Sequence, residues 1–231
     1  DNLLPSVLEV DGLRGELLLG AVPTTLTGLV PLTVSSLKKS YPKLHVRILP
    51  GLTHDLTLQL ERGRIDAAII SRPSHVSKGL VWHEIAQEEL QLLASSDTAS
   101  DDPIELLANN PFIRFSRNAV VGSMIEAWLQ EKKITVADTM ELEGLEAISS
   151  MVLCNMGVAI APRRCVQAMY PLPLKRLSLG PDAPRRILGV ACRQDSAKTR
   201  AVAEVVACLR QGVQIGKFTL EAAKSGLPDV S

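Results

Sequence analysis

Residues 15–70 restrict the fold more than any other stretch. Three apolar runs of strand length, 16–22, 44–49 and 65–70, alternate with two segments of helical spacing. In the first helical segment Leu26, Leu29, Val30, Val34 and Leu37 recur on one face, Lys38 and Lys39 lie near its end, and Pro42 stands just beyond. Pro31 fits there only in the first turn or at a kink. In the second, Thr53 is expected to cap a helix over 55–62, with Gly63 closing it. Strand–helix–strand–helix–strand in so short a stretch means two successive crossovers, hence a parallel sheet covered by helices.

In such a sheet ligands sit beyond the carboxyl ends of the strands. The loops 23–25, 51–54 and 71–73 meet there, so Thr24, Thr25, Thr53, His54, Ser71 and Arg72 share one edge. The stretch 15–25, GELLLGAVPTT, stops its strand at Pro23 and hands over to two threonines at a helix start. Free backbone N–H groups and hydroxyls at that point suit a small polar or anionic ligand. The plainer reading is that Thr24 or Thr25 is only a helix cap, and the two roles are compatible.

A second α/β set follows the polar stretch 95–103. It reads as helix 104–108, strand 112–115, helix 120–130, strand 139–142, helix 145–154 and strand 157–161. The loops 116–119 and 143–144 are again polar. Extended runs at 80–94, 172–179 and 186–193 and a last amphipathic helix over 197–209 complete the pattern. The 231 residues are 46% apolar and 22% charged, enough for a packed core, and their net charge of +0 argues against this segment gripping nucleic acid. No run of about 18 apolar residues is present, so no membrane span is expected. The four cysteines, Cys154, Cys165, Cys192 and Cys208, form no C-x-x-C pair and read as reduced, mostly buried packing residues. His54 and His75 have no partner at metal-ligand spacing, and no nucleophile elbow, P-loop or dinucleotide motif occurs. No metal, cofactor or catalytic residue is therefore expected. Trp82 and Trp128 are spaced as core or interface residues rather than as a stacking pair for bases.

Residues 15–70 run G-E-L-L-L-G, L-V-P-L, Y-P-K-L-H-V-R-I and L-x-x-G-R-I-D-A-A-I-I, and residues 147–162 run A-I-S-S-M-V-L-C-N-M-G-V-A-I-A-P. As an ordered set these blocks resemble the effector-binding domain of LysR-type transcriptional regulators, from about residue 13 to about residue 211. The resemblance implies an α/β, periplasmic-binding-protein-like fold of type II. Two Rossmann-like subdomains are joined by two crossover strands, with a cleft between them. It divides the chain into a linker remnant (1–12), subdomain I (13–90 and 196–211), subdomain II (91–195) and a C-terminal tail (212–231) expected to be mobile.

The resemblance places the effector between the subdomains. Thr24, Thr25, Thr53, His54, Ser71 and Arg72 form one wall, and Ser116, Arg117, Asn118, Val121, Glu143 and Gly144 the other. It implies a small polar or anionic effector, a carboxylate among the candidates, and a cytoplasmic homodimer that is a tetramer at full length. The helix after Thr53 and the helix 120–130 are the expected pairing elements. It also implies that DNA is bound only through a winged helix-turn-helix N-terminal to this segment. The chain opens at Asp1 inside what resembles the linker, and is read as a truncated piece. The main alternative is a periplasmic solute-binding protein of the same fold. An enzyme is a second.

Overall fold

Strand β1 (Gly15–Ala21) pairs in parallel with β2 (Leu44–Pro50) on one side and β3 (Ala67–Ser71) on the other. Leu17, Leu19 and Ala21 are fully enclosed, and every residue of β3 is buried, which is why both read as apolar runs. Residues 13–224 are described in the computed structural model; the linker assigned to 1–12 lies outside them. Between the strands run α1 (Leu29–Ser40) and α2 (Thr53–Glu61). Helix α1 begins three residues later than its apolar spacing suggests, because Pro23–Thr25 forms a separate 3-10 turn. Pro31 sits in the first turn, where its missing N–H costs nothing. Thr53 is the first residue of α2 rather than its cap; Leu52 holds the cap position.

Strand β4 (Leu80–Ser95) spans the molecule. Its first part pairs antiparallel with β9 (Arg185–Arg193), which lies against β3, and its last part pairs antiparallel with β7 (Ala159–Pro162) and β8 (Leu174–Ser178). The order is β2-β1-β3-β9-β4-β7, with β8 also on β4. Beyond it β5 (Pro111–Phe115) and β6 (Ala137–Leu142) pair in parallel. Val158, just ahead of β7, bridges to β5, donating to Pro111 O and accepting from the Ile113 N–H. Helices α3 (Pro103–Asn109), α4 (Val120–Glu131) and α5 (Leu145–Leu153) cover this second layer.

Two hydrophobic cores result. One gathers β1, β3, α1, α2, β9 and α6 (Thr199–Ile215); the other gathers the end of β4, α3 to α5, β5, β7 and β8. In α6, Val202, Val205, Val206 and Leu209 form one buried stripe, each worth roughly 1.5–3 kcal/mol by area removed from water.

Three features depart from the division expected above. Leu188, Val190, Ala191 and Cys192 of β9 belong to the first core, although they fall within the 91–195 expected for the second subdomain. Val166 also packs in the first core. The segment carrying it is pinned there, with the Arg163 N–H donating to Glu89 O and the Gln167 N–H to Gly216 O. The expected tail is also structured as far as it is described. Helix α6 continues past Gly212, which is buried against Leu29, and α7 (Leu220–Lys224) follows. Gly212 and Val213 extend the stripe, and Phe218 and Ala222 pack on the first core. All four cysteines are free, but only Cys192 is buried; Cys165 and Cys208 are partly buried, and Cys154, at the end of α5, is exposed.

Candidate functional site

The carboxyl ends of β1 and β3 face the second layer across a narrow cleft whose cavity volume, about 20 Å³, is room for a water or two. Val22, Pro23, Thr24, Leu52, Thr53 and Ser71 line it from the first subdomain. Phe115, Ala119, Val120, Val121, Glu143 and Gly144 line it from the second, and Arg186 joins from the spanning strand β9. The walls are mostly apolar with a few polar groups converging, as in small-molecule sites generally.

Arg186 and Glu88 face each other in register across β9 and β4, and each side chain is only 2% exposed. Arg186 Nη2 donates to Glu88 Oε2, and Nη1 donates to Thr24 Oγ1 at 2.8 Å. Glu88 Oε1 accepts the Cys165 backbone N–H at 2.8 Å. Arg186 Nε is buried with no hydrogen-bond partner among the described residues. A charge pair so deep is maintained only where its remaining donors and acceptors are met. Nε is the one nitrogen of the guanidinium without such a partner. Neither residue stands out in the sequence, because each sits singly in an extended run and their pairing depends on strand register.

Among the residues expected at the site, Thr24, Thr53, Ser71, Val121, Glu143 and Gly144 line the cleft. Thr53 Oγ1 reaches Ser71 O at 3.5 Å, a long contact. The other six do not line it. Thr25 is buried beside it, and its hydroxyl closes the local turn by donating to Val22 O at 2.8 Å. His54 and Arg72 are exposed outside the lining. Ser116 is buried, with Oγ accepting the Asn118 N–H at 3.3 Å, and Asn118 is exposed. Arg117 is drawn away by carboxylates on the outer face: Nη1 meets Glu141 Oε2 at 2.7 Å and Nη2 meets Asp138 Oδ2 at 3.0 Å. Arg114 shares that network with Asp138 and Glu126.

Three helices begin at the cleft, namely α2 at Thr53, α4 at Val120 and α5 after Gly144. Their cap residues, Leu52, Ala119 and Gly144, supply no side-chain hydrogen bond. By contrast, Asp102 caps α3 by accepting the Ile104 N–H at 2.9 Å. A further tie joins the subdomains: Thr27 Oγ1 donates to Glu146 Oε1 at 2.7 Å, and Arg164 Nη1 donates to both oxygens at 2.6 Å. Burial alone would raise the Glu146 carboxyl, but the Thr27 hydroxyl and the Arg164 charge outweigh it and hold the pKa below the usual carboxylate range.

The nearest thiol is not activated. Burial, with the Glu88 carboxylate beside it, pushes Cys165 up to about 12. Among the described residues no group of three or more His, Cys, Asp or Glu is placed to hold a metal ion.

The LysR substrate binding domain profile matches residues 11–214. The chain belongs to that family. It is 23% identical over 218 residues to the HTH-type transcriptional regulator SoxR of Arthrobacter sp. (strain TE1826), covering 94% of this chain and 73% of the regulator. It is 28% identical over 167 residues to the CzcR regulator of Bacillus anthracis, covering 72% of this chain but only 56% of that protein. Among solved structures it superposes on an H2O2-bound cysteine-to-serine mutant of OxyR from Corynebacterium glutamicum with a TM-score of 0.73 at 19% identity, covering 94% and 70% of the two chains. The effector binding domain of QuiR in complex with shikimate gives a TM-score of 0.72 at 18% identity, covering 89% and 100%. These matches bear out the periplasmic-binding-protein-like fold. They do not favour the solute-binding alternative, since the relatives are transcriptional regulators. Among the described residues no helix is long and apolar enough to cross a membrane.

Proposed function

We propose that this chain is the sensing part of a cytoplasmic LysR-type regulator that holds a small polar or anionic metabolite in the cleft between its subdomains. The observation that carries the reading is Arg186. A buried guanidinium on a strand shared by both subdomains lines the cleft, is tied to Thr24, and keeps Nε unpaired. A ligand acceptor there would meet both subdomains and the strand that joins them. It would favour the subdomain arrangement that fits it best, by no more than its difference in affinity between arrangements, typically about 1–3 kcal/mol. Relay to DNA would pass through a winged helix-turn-helix outside this segment, and the domain itself would perform no catalysis. Pairing into a homodimer would use the exposed faces of α2 and α4, with a tetramer at full length; light scattering reading a monomer at high concentration would overturn that part.

The test is thermal stabilisation by a panel of small carboxylates, amines and neutral isosteres. A true ligand raises the melting temperature of the wild type and loses most of that effect on Thr24→Val. A panel that stabilises both proteins equally, or neither, contradicts the reading.

A further inference from the structure

We propose that the edge of the first subdomain farthest from the cleft docks on the phosphate backbone of duplex DNA, a sequence-independent contact added to those of a separate DNA-binding part. This rests on the reading of the chain as part of a DNA-bound regulator, and not on what the cleft holds.

The topology builds this edge. Strands β1, β2 and β3 run in parallel toward the cleft. Their starts, the ends of α1, α2 and β9, and the starts of β4 and α6 therefore share the opposite edge. Contacts close it into one surface. Lys198 Nζ, at the start of α6, donates to Glu16 O at 2.7 Å and Asp66 Oδ2 at 2.9 Å. Arg193 Nη1, at the end of β9, donates to Leu60 O of α2 at 3.2 Å, and the Gln194 N–H donates to Gly79 O at 2.8 Å.

The charge on this edge is one-sided. Lys39 lies in the last turn of α1 and Lys43 just beyond it, Arg62 and Arg64 follow α2, Lys78 precedes β4, and Arg200 lies in the first turn of α6. All but Lys39 are exposed, and none of the six is paired with a carboxylate among the described residues. The carboxylates of the edge are mostly engaged: Asp66 with Lys198, Asp195 with Arg193 at 3.4 Å, Glu16 with Arg47 at 3.2 Å, and Glu204 with Tyr41. Glu61 is the one left, beside Lys78 in an open groove. The net charge of +0 for the whole chain conceals this cationic edge.

Chemistry selects the partner. A protein interface needs an apolar centre. The large apolar side chains exposed on this molecule, among them Leu49, Ile104, Met151 and Met156, lie away from this edge. Long, unpaired cations without an apolar centre suit an even line of phosphates, which is bound by charge and not read by sequence. The strands β2, β1, β3, β9 and β4 are neighbours in that order, and at about 4.8 Å apiece they spread the charge over about 19 Å. A duplex carries roughly ten phosphates over that length.

The test is fluorescence anisotropy of a labelled duplex of about 20 base pairs, titrated with the 231-residue chain at low salt and again after a roughly fourfold rise in salt. Saturable binding is expected at low salt, equal within about twofold for two duplexes of unrelated sequence. It should weaken on the order of a hundredfold at the higher salt, as about four phosphate contacts imply. Lys43→Glu with Arg64→Glu should lower the affinity about tenfold or more and flatten the salt slope by about two. Lys133→Glu with Arg163→Glu changes the net charge equally at exposed positions off this edge, and should stay within about threefold of wild type. Equal losses in the two double variants would overturn the inference, as would no binding, or an affinity that differs more than about tenfold between sequences. A polyglutamate peptide that binds as tightly as the duplex, and is lost in the same double variant, would assign the edge to an acidic protein and overturn it too. None of these outcomes bears on the cleft, which the thermal panel tests separately.

Discussion

Arg186→Met should be the most informative stability variant in the molecule. The Arg186 and Glu88 side chains are both 2% exposed, so removing the guanidinium strands a carboxylate that keeps only the Cys165 N–H. It also takes the donor from Thr24. Breaking one side of such a pair costs about 3–5 kcal/mol. For a chain of this size that is a fall in melting temperature of about 6–20 °C, at about 2–4 °C per kcal/mol. The double variant Arg186→Met with Glu88→Gln removes both charges, and its amide oxygen can still accept from Cys165. It should recover to within about 2 kcal/mol of wild type, because neutral replacements of a buried pair are often nearly silent. Urea denaturation of the wild type, both singles and the double, read as a mutant cycle, gives the coupling directly. A single variant within about 1 kcal/mol of wild type, or a double as unstable as the sum of the singles, would refute the reasoning that the pair is buried and interdependent.

Other outcomes follow from the same geometry. Because the folded Glu146 carboxyl is held below the usual range, its clasp stabilises the protein at neutral pH and the contribution is lost as pH falls through that lowered value. Glu146→Gln should flatten this acid loss in urea midpoints taken across the range, and added salt should shrink the difference, since the pair is half-exposed. Ellman's reagent at mildly alkaline pH should label exposed Cys154 first and partly buried Cys165 late, its thiol being pushed up to about 12; early labelling of Cys165 would contradict that shift. Gly122→Ala would set a methyl 1.9 Å from Ser116 O, so the start of α4 must move, at a cost of about 1–3 kcal/mol or more in urea.

The centre of the parallel layer was legible because β3 is buried on both faces and β1 largely so: 65–70 reads as a short apolar run and is one, displaced by a residue or two. The wall positions Thr24, Thr53, Ser71, Val121, Glu143 and Gly144 were reachable because loops after parallel strands converge on one edge. Arg117 shows the limit of that logic. Its place after a strand is as expected, but which way it turns depends on Asp138 and Glu141 of the neighbouring strand. Arg186 and Glu88 lie 98 residues apart, and only the register of β4 on β9 brings them together. The docking of residues 163–167 on the first core was equally hidden, since Cys165 and Val166 look like any apolar pair until α1 and α6 are in place.

The central claim is that the space between the subdomains is where a ligand acts. A co-crystal structure with the compound that most stabilises the wild type tests it most directly. Electron density is predicted in the cleft, against Thr24 and Arg186 on one side and Phe115 and Val121 on the other. Density only elsewhere, with the cleft holding solvent, would contradict it.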